Sequence, residues 1–220
     1  MHKSIKNLIY IQNLIKSKLS DLKLIDRSPK IIAVSKTFKL DNILPLIEHG
    51  HEHFGENKVQ EALDKWTDIK KSKKNLKIHL IGKLQTNKVK HAINFFDFIH
   101  SLDSEKLAKK ISDEQIKQNI KPKIFIQINI GNEKQKSGIQ KENLKEFYNY
   151  CKSLGLDVIG LMCIPPVGQN SIKYFKEMNS INQELKFSEL SMGMSDDYLK
   201  AIEYHSTYLR IGSSIFGKRY

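Results

Sequence analysis

The sequence predicts an α/β protein, a single (β/α)8 TIM barrel preceded by an extra N-terminal helix. Three observations lead to that fold class. Short apolar runs recur along the 220 residues, each followed by an amphipathic stretch of helical period. Strands that alternate with helices imply parallel pairing through crossover connections, and eight such units point to a closed barrel rather than an open sheet. No Pro/Ser/Gly-rich linker interrupts the chain, so residues 1–220 read as one domain.

The extra helix comes first. Ile5, Leu8, Ile11, Ile15, Leu19 and Leu22 fall at close to helical spacing with lysines between them. This segment lacks the unbroken apolar core and small-residue cleavage site of a signal peptide, and no stretch of the chain is long enough to span a bilayer. Strands are expected at 30–37, 52–56, 77–82, 96–102, 123–130, 156–164, 187–194 and 208–212. Helices are expected near 41–48, 57–69, 86–94, 104–118, 141–152, 170–184 and 196–203, with Lys70 to Lys74 as a solvated loop.

Net charge is +13, which would ordinarily suggest a nucleic-acid partner. Only Arg27, Arg210 and Arg219 are arginines among the 37 basic residues, and the chain is also rich in Ile and Asn. That is the lysine drift of an A/T-rich genome. Readers of bases and phosphates lean on arginine's planar fork, so no specific nucleic-acid binding is expected. Cys151 and Cys163 have neither metal nor redox spacing, and a cytoplasmic protein without membrane contact is the expectation.

A barrel draws its chemistry from the C-terminal ends of its strands. The polar residues expected there are Lys36, Glu56, Asn57, Asn129, Ser191, Ser195, Arg210, Gly212 and Ser213. Lys36 closes an apolar strand, where burial favours the neutral amine that condenses with carbonyl compounds. Ser191–Asp197 and Arg210–Gly217 each end a strand and open a helix with serine and glycine. These are the two loops in which barrels often bind phosphate. Ser195 before Asp196 and Asp197 would equally serve as a helix cap. Alternation puts Tyr208, Arg210 and Gly212 on one face of the last strand, and an inward Arg210 needs a partner because it cannot shed its charge. A Schiff-base lysine, a phosphate cup and an arginine that could face a ring nitrogen together describe a site for pyridoxal 5′-phosphate (PLP). His49, His51 and His53 alternate and could share one face, but no acid or cysteine accompanies them, so no metal site is assigned. Trp66 reads as packing and Cys163 as a buried small hydrophobe.

The chain resembles the pyridoxal phosphate homeostasis family through nearly its whole length. The resemblance lies in Ala33–Thr37, Phe54–Glu61, His79–Lys88, Gln127–Ile130 with Lys136–Gly138, Gly160–Met162, Ser191–Asp197 and Arg210–Ser213 with Ile215–Gly217. Lys58 stands where many such proteins carry an aromatic residue, and Ser213 where threonine is frequent. The resemblance implies the barrel of the alanine racemase N-terminal domain, with Lys36 holding PLP as a Schiff base and Arg210 facing its ring nitrogen. It also implies phosphate contacts from Ser191, Gly212 and Ser213, with Asn57 near the cofactor. Tyr220 follows directly on the eighth unit, so the racemases' second domain and its proton-carrying tyrosine are not expected. The implied function is intracellular PLP (vitamin B6) homeostasis by a monomer with little or no catalysis, PLP-dependent apo-enzymes being possible recipients. The alternative is an amino-acid racemase that uses Lys36 as proton carrier.

Overall fold

Helix α1 (Lys3–Asp21) starts where the His2 side chain accepts the Ser4 N–H, and it buries Leu8, Ile11, Ile15 and Leu19 along one stripe. The computed structural model describes residues 1–133 and 135–217; Arg219 and Tyr220 lie outside them. Strands and helices then alternate as β1 (Lys30–Val34), α2 (Leu40–Glu48), β2 (His53–Glu56), α3 (Val59–Ser72), β3 (Lys77–Leu80) and α4 (Val89–Phe95). Next come β4 (Phe98–Leu102), α5 (Glu105–Gln118), β5 (Lys123–Ile128), α6 (Leu144–Ser153), β6 (Val158–Cys163) and α7 (Ser171–Glu184). The described chain finishes with β7 (Glu189–Met194), α8 (Tyr198–Glu203), β8 (Tyr208–Ile211) and the short α9 (Ser213–Phe216).

The eight strands form a closed barrel in sequence order. β8 closes on β1 in parallel, with Lys30 opposite Tyr208 and Ala33 opposite Ile211. The expected fold class is therefore the observed one. β1 ends at Val34 rather than 37, which puts Lys36 in the turn beyond it. α3 runs to Ser72, so Lys70 and Lys71 belong to its last turn, where cations complement the helix dipole, and not to a loop.

Strand alternation divides the core in two. Ile31, Ala33, Phe54, Ile78, Leu190, Leu209 and Ile211 face outward into the large cluster beneath the helices. Ile32, Phe98, Phe125, Met162 and Tyr208 fill the barrel axis. Each large apolar side chain moved from water into such a core contributes about 1.5–3 kcal/mol. α1 packs against α9, and the Asn7 side chain donates to the Ile215 carbonyl at 2.9 Å.

The axis also carries polar groups, which barrel interiors usually exclude in favour of branched aliphatics. His53 Nδ1 lies 2.9 Å from His79 Nε2, and His79 Nδ1 lies 2.9 Å from His100 Nε2. His100 Nδ1 is 3.0 Å from Ser191 Oγ, which accepts from Arg210 Nη1 at 2.7 Å. Stacking of His79 on Phe98 and of His100 on Phe125, both with centroids 4.2 Å apart, holds these rings in place.

Desolvation, reinforced by neighbouring rings and cations, keeps His79 and His100 well below the usual 6.5 and takes His51 and His53 to about 4. Unfolded histidines gain a proton near 6.5, whereas these stay neutral in the fold. The unfolded state therefore binds more protons as pH falls from 6.5 toward 4, and stability is lost across that window. Each histidine that remains neutral removes about 1.4 kcal/mol per pH unit there. Urea unfolding at about pH 7.5 and about pH 5.5 is expected to show a sharply lower midpoint in acid. An unchanged midpoint would contradict neutral burial.

Candidate functional site

The turn after β1 presents Lys36, and its geometry is held from below. Thr37 adopts φ of +67°, a left-handed conformation strained for a β-branched residue. Its N–H donates to Glu61 Oε1 on α3 at 2.5 Å. The Lys65 ammonium donates to Ser35 O at 2.9 Å and to the carboxylates of Glu56 and Glu61 at 3.0 and 3.1 Å. Burial alone would raise the Glu61 pKa; the bonds from Thr37 and Lys65 outweigh it and hold the carboxyl below its usual value. The backbone on either side of Lys36 is thus pinned to α3.

Lys36 and Asn57 line one cavity of about 580 Å³ at the C-terminal mouth of the barrel, together with Arg210, Gly212 and Ser213. Its wall includes Val34, Ile81 and Ile164, and the end of β7 with the loop after it adds Met194, Ser195 and Asp196. Five of the six site residues expected from sequence therefore meet in one place.

Ser191 is the exception. It is fully buried beneath the cavity, absent from its lining, with its hydroxyl engaged by Arg210 and His100. Ser191 therefore lies below the lining in which a phosphate contact was expected of it, and its hydroxyl accepts from Arg210. Ser195 stands in the lining instead. Its Oγ accepts the N–H groups of Gly212 and Ser214, each at 3.3 Å, which leaves the hydroxyl proton to donate elsewhere. Ser195 therefore ties the two loops together and does not cap α8, whose first residue is Tyr198. Gly193, at φ +89°, permits that loop to turn; a Cβ there would lie 2.6 Å from the Ala201 Cβ. Gly212 lies so close to β1 that a Cβ would come within 3.4 Å of the Val34 carbonyl.

Arg210 points into the barrel, as alternation implies. Nη1 donates to Ser191 Oγ and Nη2 to the Cys163 carbonyl, both at 2.7 Å. Both acceptors are neutral, and among the described residues no carboxylate lies within ion-pair distance of this guanidinium. The Cys163 thiol faces the outer core, and burial pushes it up to about 12.

Two other expected residues lie elsewhere. Glu56 turns outward, because β2 places His53 and Gly55 on the inner face. Its Oε1 accepts from Ser35, Lys65 and the Trp66 indole at 2.8, 3.0 and 2.9 Å. Asn129 closes its own loop through two bonds with the Glu133 backbone. Among the described residues no group of three or more His, Cys, Asp or Glu is placed to hold a metal. His51 donates to the His53 carbonyl, and His53 belongs to the axial chain of rings.

Glu61→Ala removes the acceptor that stabilises the Thr37 turn. The expected outcome is a loss of about 1 kcal/mol in urea unfolding and a several-fold slower reaction of the Lys36 amine with an added aldehyde. An unchanged aldehyde rate would show that this turn does not depend on α3.

Residues 15–220 match the alanine racemase N-terminal domain family. The pyridoxal phosphate homeostasis protein of Aquifex aeolicus is 40% identical over 200 residues, covering 86% of this chain and 87% of that protein. Its counterpart from Haemophilus influenzae is 34% identical and covers 97% of this chain and 94% of its own. Among solved structures, PipY of Synechococcus elongatus with PLP bound is similar at 32% identity and a TM-score of 0.80, over 92% of this chain and all of that one. A Clostridium difficile alanine racemase shares the fold at 17% identity and a TM-score of 0.73, and this chain covers 57% of it. The chain belongs to the pyridoxal phosphate homeostasis protein family, built on the barrel of the alanine racemase N-terminal domain.

Proposed function

We propose that this protein binds PLP in the upper cavity, with the Lys36 amine holding its aldehyde as a Schiff base, and serves PLP homeostasis as a carrier or regulator. The observation that carries the reading is the donor set around that cavity. Lys36 supplies the amine, and the Arg210 guanidinium retains N–H donors beyond the two already engaged. Ser195, Gly212 and Ser213 line the side suited to the phosphate, whose charge would compensate a buried cation that has only neutral partners. Asn57 lies within reach as an amide donor and acceptor. When bound, PLP supplies an electrophilic carbon and an electron-withdrawing ring.

The chain's own residues favour holding over turnover. Arg210 can donate to a ring nitrogen but cannot protonate it, and its charge discourages protonation from elsewhere. Among the described residues no tyrosine, histidine or cysteine side chain lines the cavity to pass a proton opposite Lys36, and Asp196 is its only carboxylate. The curated relatives are spanned nearly in full, the racemase little over half. We place the protein in the cytoplasm as a monomer that passes PLP to apo-enzymes. Its two cysteines are unpaired, and no helix among the described residues is long and apolar enough to cross a membrane.

Added PLP is expected to produce a visible absorption band in the wild type and none in Lys36→Ala. Borohydride should then fix the label on Lys36, identifiable by peptide mass. A band indifferent to Lys36→Ala would overturn the assignment. Robust inversion of a free amino acid, abolished by Lys36→Ala, would turn the reading to the racemase alternative.

A further inference from the structure

A second cavity, of about 540 Å³, lies at the opposite mouth of the barrel between α1, the loop before β1 and the start of β2. Lys16, Arg27, Lys30 and His53 line it, and among the described residues no carboxylate does. Ile15 and Leu19 of α1 supply an apolar wall, and Ile25 stands exposed at its rim. The carboxylate that acts electrostatically on His53, Asp97, is engaged by Lys70 at 2.8 Å and by Lys77 at 3.7 Å. A pocket of cations with an apolar side fits an organic anion.

The axial chain of rings joins this cavity to the upper one, and its direction follows from the chemistry of its members. Arginine has no acceptor, so Ser191 Oγ accepts from Arg210 and its own proton is available to His100 Nδ1. His100 then carries its proton on Nε2 and donates to His79 Nδ1; His79 donates likewise to His53 Nδ1. Reversing every bond would leave the Ser191 hydroxyl proton without an acceptor among the described residues, a costly state at full burial. His53 is left with its N–H on Nε2, a donor at the edge of the lower cavity. An acceptor there would polarise each bond of the chain in the same direction, as far as the guanidinium that lines the upper cavity.

We propose that the lower cavity is a second ligand site, for a small organic anion with a carboxylate or phosphate head and an apolar body. Its occupancy is transmitted to Arg210 through His53, His79, His100 and Ser191. The coupling is reciprocal, so filling the upper cavity alters affinity at the lower one by the same factor. This inference does not depend on which ligand the upper cavity takes.

The test is a titration of protein carrying ¹⁵N-labelled histidine with phenyl phosphate, followed by imidazole nitrogen resonances. Before addition, His53, His79 and His100 are expected as neutral rings protonated on Nε2; protonation on Nδ1 would overturn the assigned direction. On addition, His53 and His100 should shift together and saturably. The double variant Arg27→Gln/Lys30→Gln should weaken both shifts about tenfold or more. In His79→Leu the His53 shift should persist while His100 stays still; His79→Phe, a ring without donor or acceptor, serves if the leucine variant does not fold. No saturable shift at His53 in the wild type would overturn the site. An unmoved His100 would overturn the coupling. A His100 shift undiminished in the double variant would place the probe in the upper cavity and overturn both.

Discussion

A guanidinium buried on neutral acceptors is the constraint around which this barrel is arranged. Arg210 cannot lose its charge, and desolvation makes its position costly. The chain meets that cost with oxygen atoms rather than with a carboxylate. The Cys163 carbonyl is brought up by β6, and the Ser191 hydroxyl by β7. Once Ser191 accepts from arginine it must donate onward, and three successive strands answer with one histidine each. A carboxylate beside Arg210 would have given a closed ion pair with nothing left for a ligand. The neutral solution leaves positive charge facing the cavity.

A second, independent network supports the amine. Glu56 is fully buried, and the Lys65 ammonium, the Ser35 hydroxyl and the Trp66 indole converge on one of its oxygens. Removing one partner from such a buried pair costs about 3–5 kcal/mol, much more than a surface ion pair contributes. The same ammonium reaches the Ser35 carbonyl and Glu61, so helix α3 fixes the backbone immediately before and after Lys36. The Arg210 guanidinium and the backbone around Lys36 are thus held, among the described residues, by two different sets of side chains.

Much of this was legible in the sequence, and the exceptions have physical causes. Recurrent apolar runs gave the barrel because each parallel strand is buried on both faces. Lys36, Asn57, Arg210, Gly212 and Ser213 were recognisable because strand ends converge at one mouth. Glu56 was misplaced although the signal was present: alternation along a strand with Gly55 inward sends its neighbour outward. Ser191 lies beneath the cavity and Ser195 in its lining, a distinction spacing could not make: a serine in a turn is equally plausible as cap, ligand contact or brace, and only the packing of β7 against β8 decides. The histidine chain left no trace in spacing, since its members come from β2, β3 and β4 and meet only across the closed axis.

The Asn7 bond to the Ile215 carbonyl, and the seam between β1 and β8 beside it, join segments about as far apart in sequence as this chain permits. Contacts of such long range form late and slowly, since the entropy of closing so large a loop must be met before they contribute anything. During synthesis Lys36 emerges from the ribosome long before Arg210 does. The amine therefore spends that interval on an incomplete sheet, with neither the guanidinium nor the Gly212–Ser213 turn opposite it. A nascent or truncated chain can pin the Lys36 turn to α3, but the cavity comes into being only when the last strand docks. An intact cavity is in that sense a report that β8 has docked against β1.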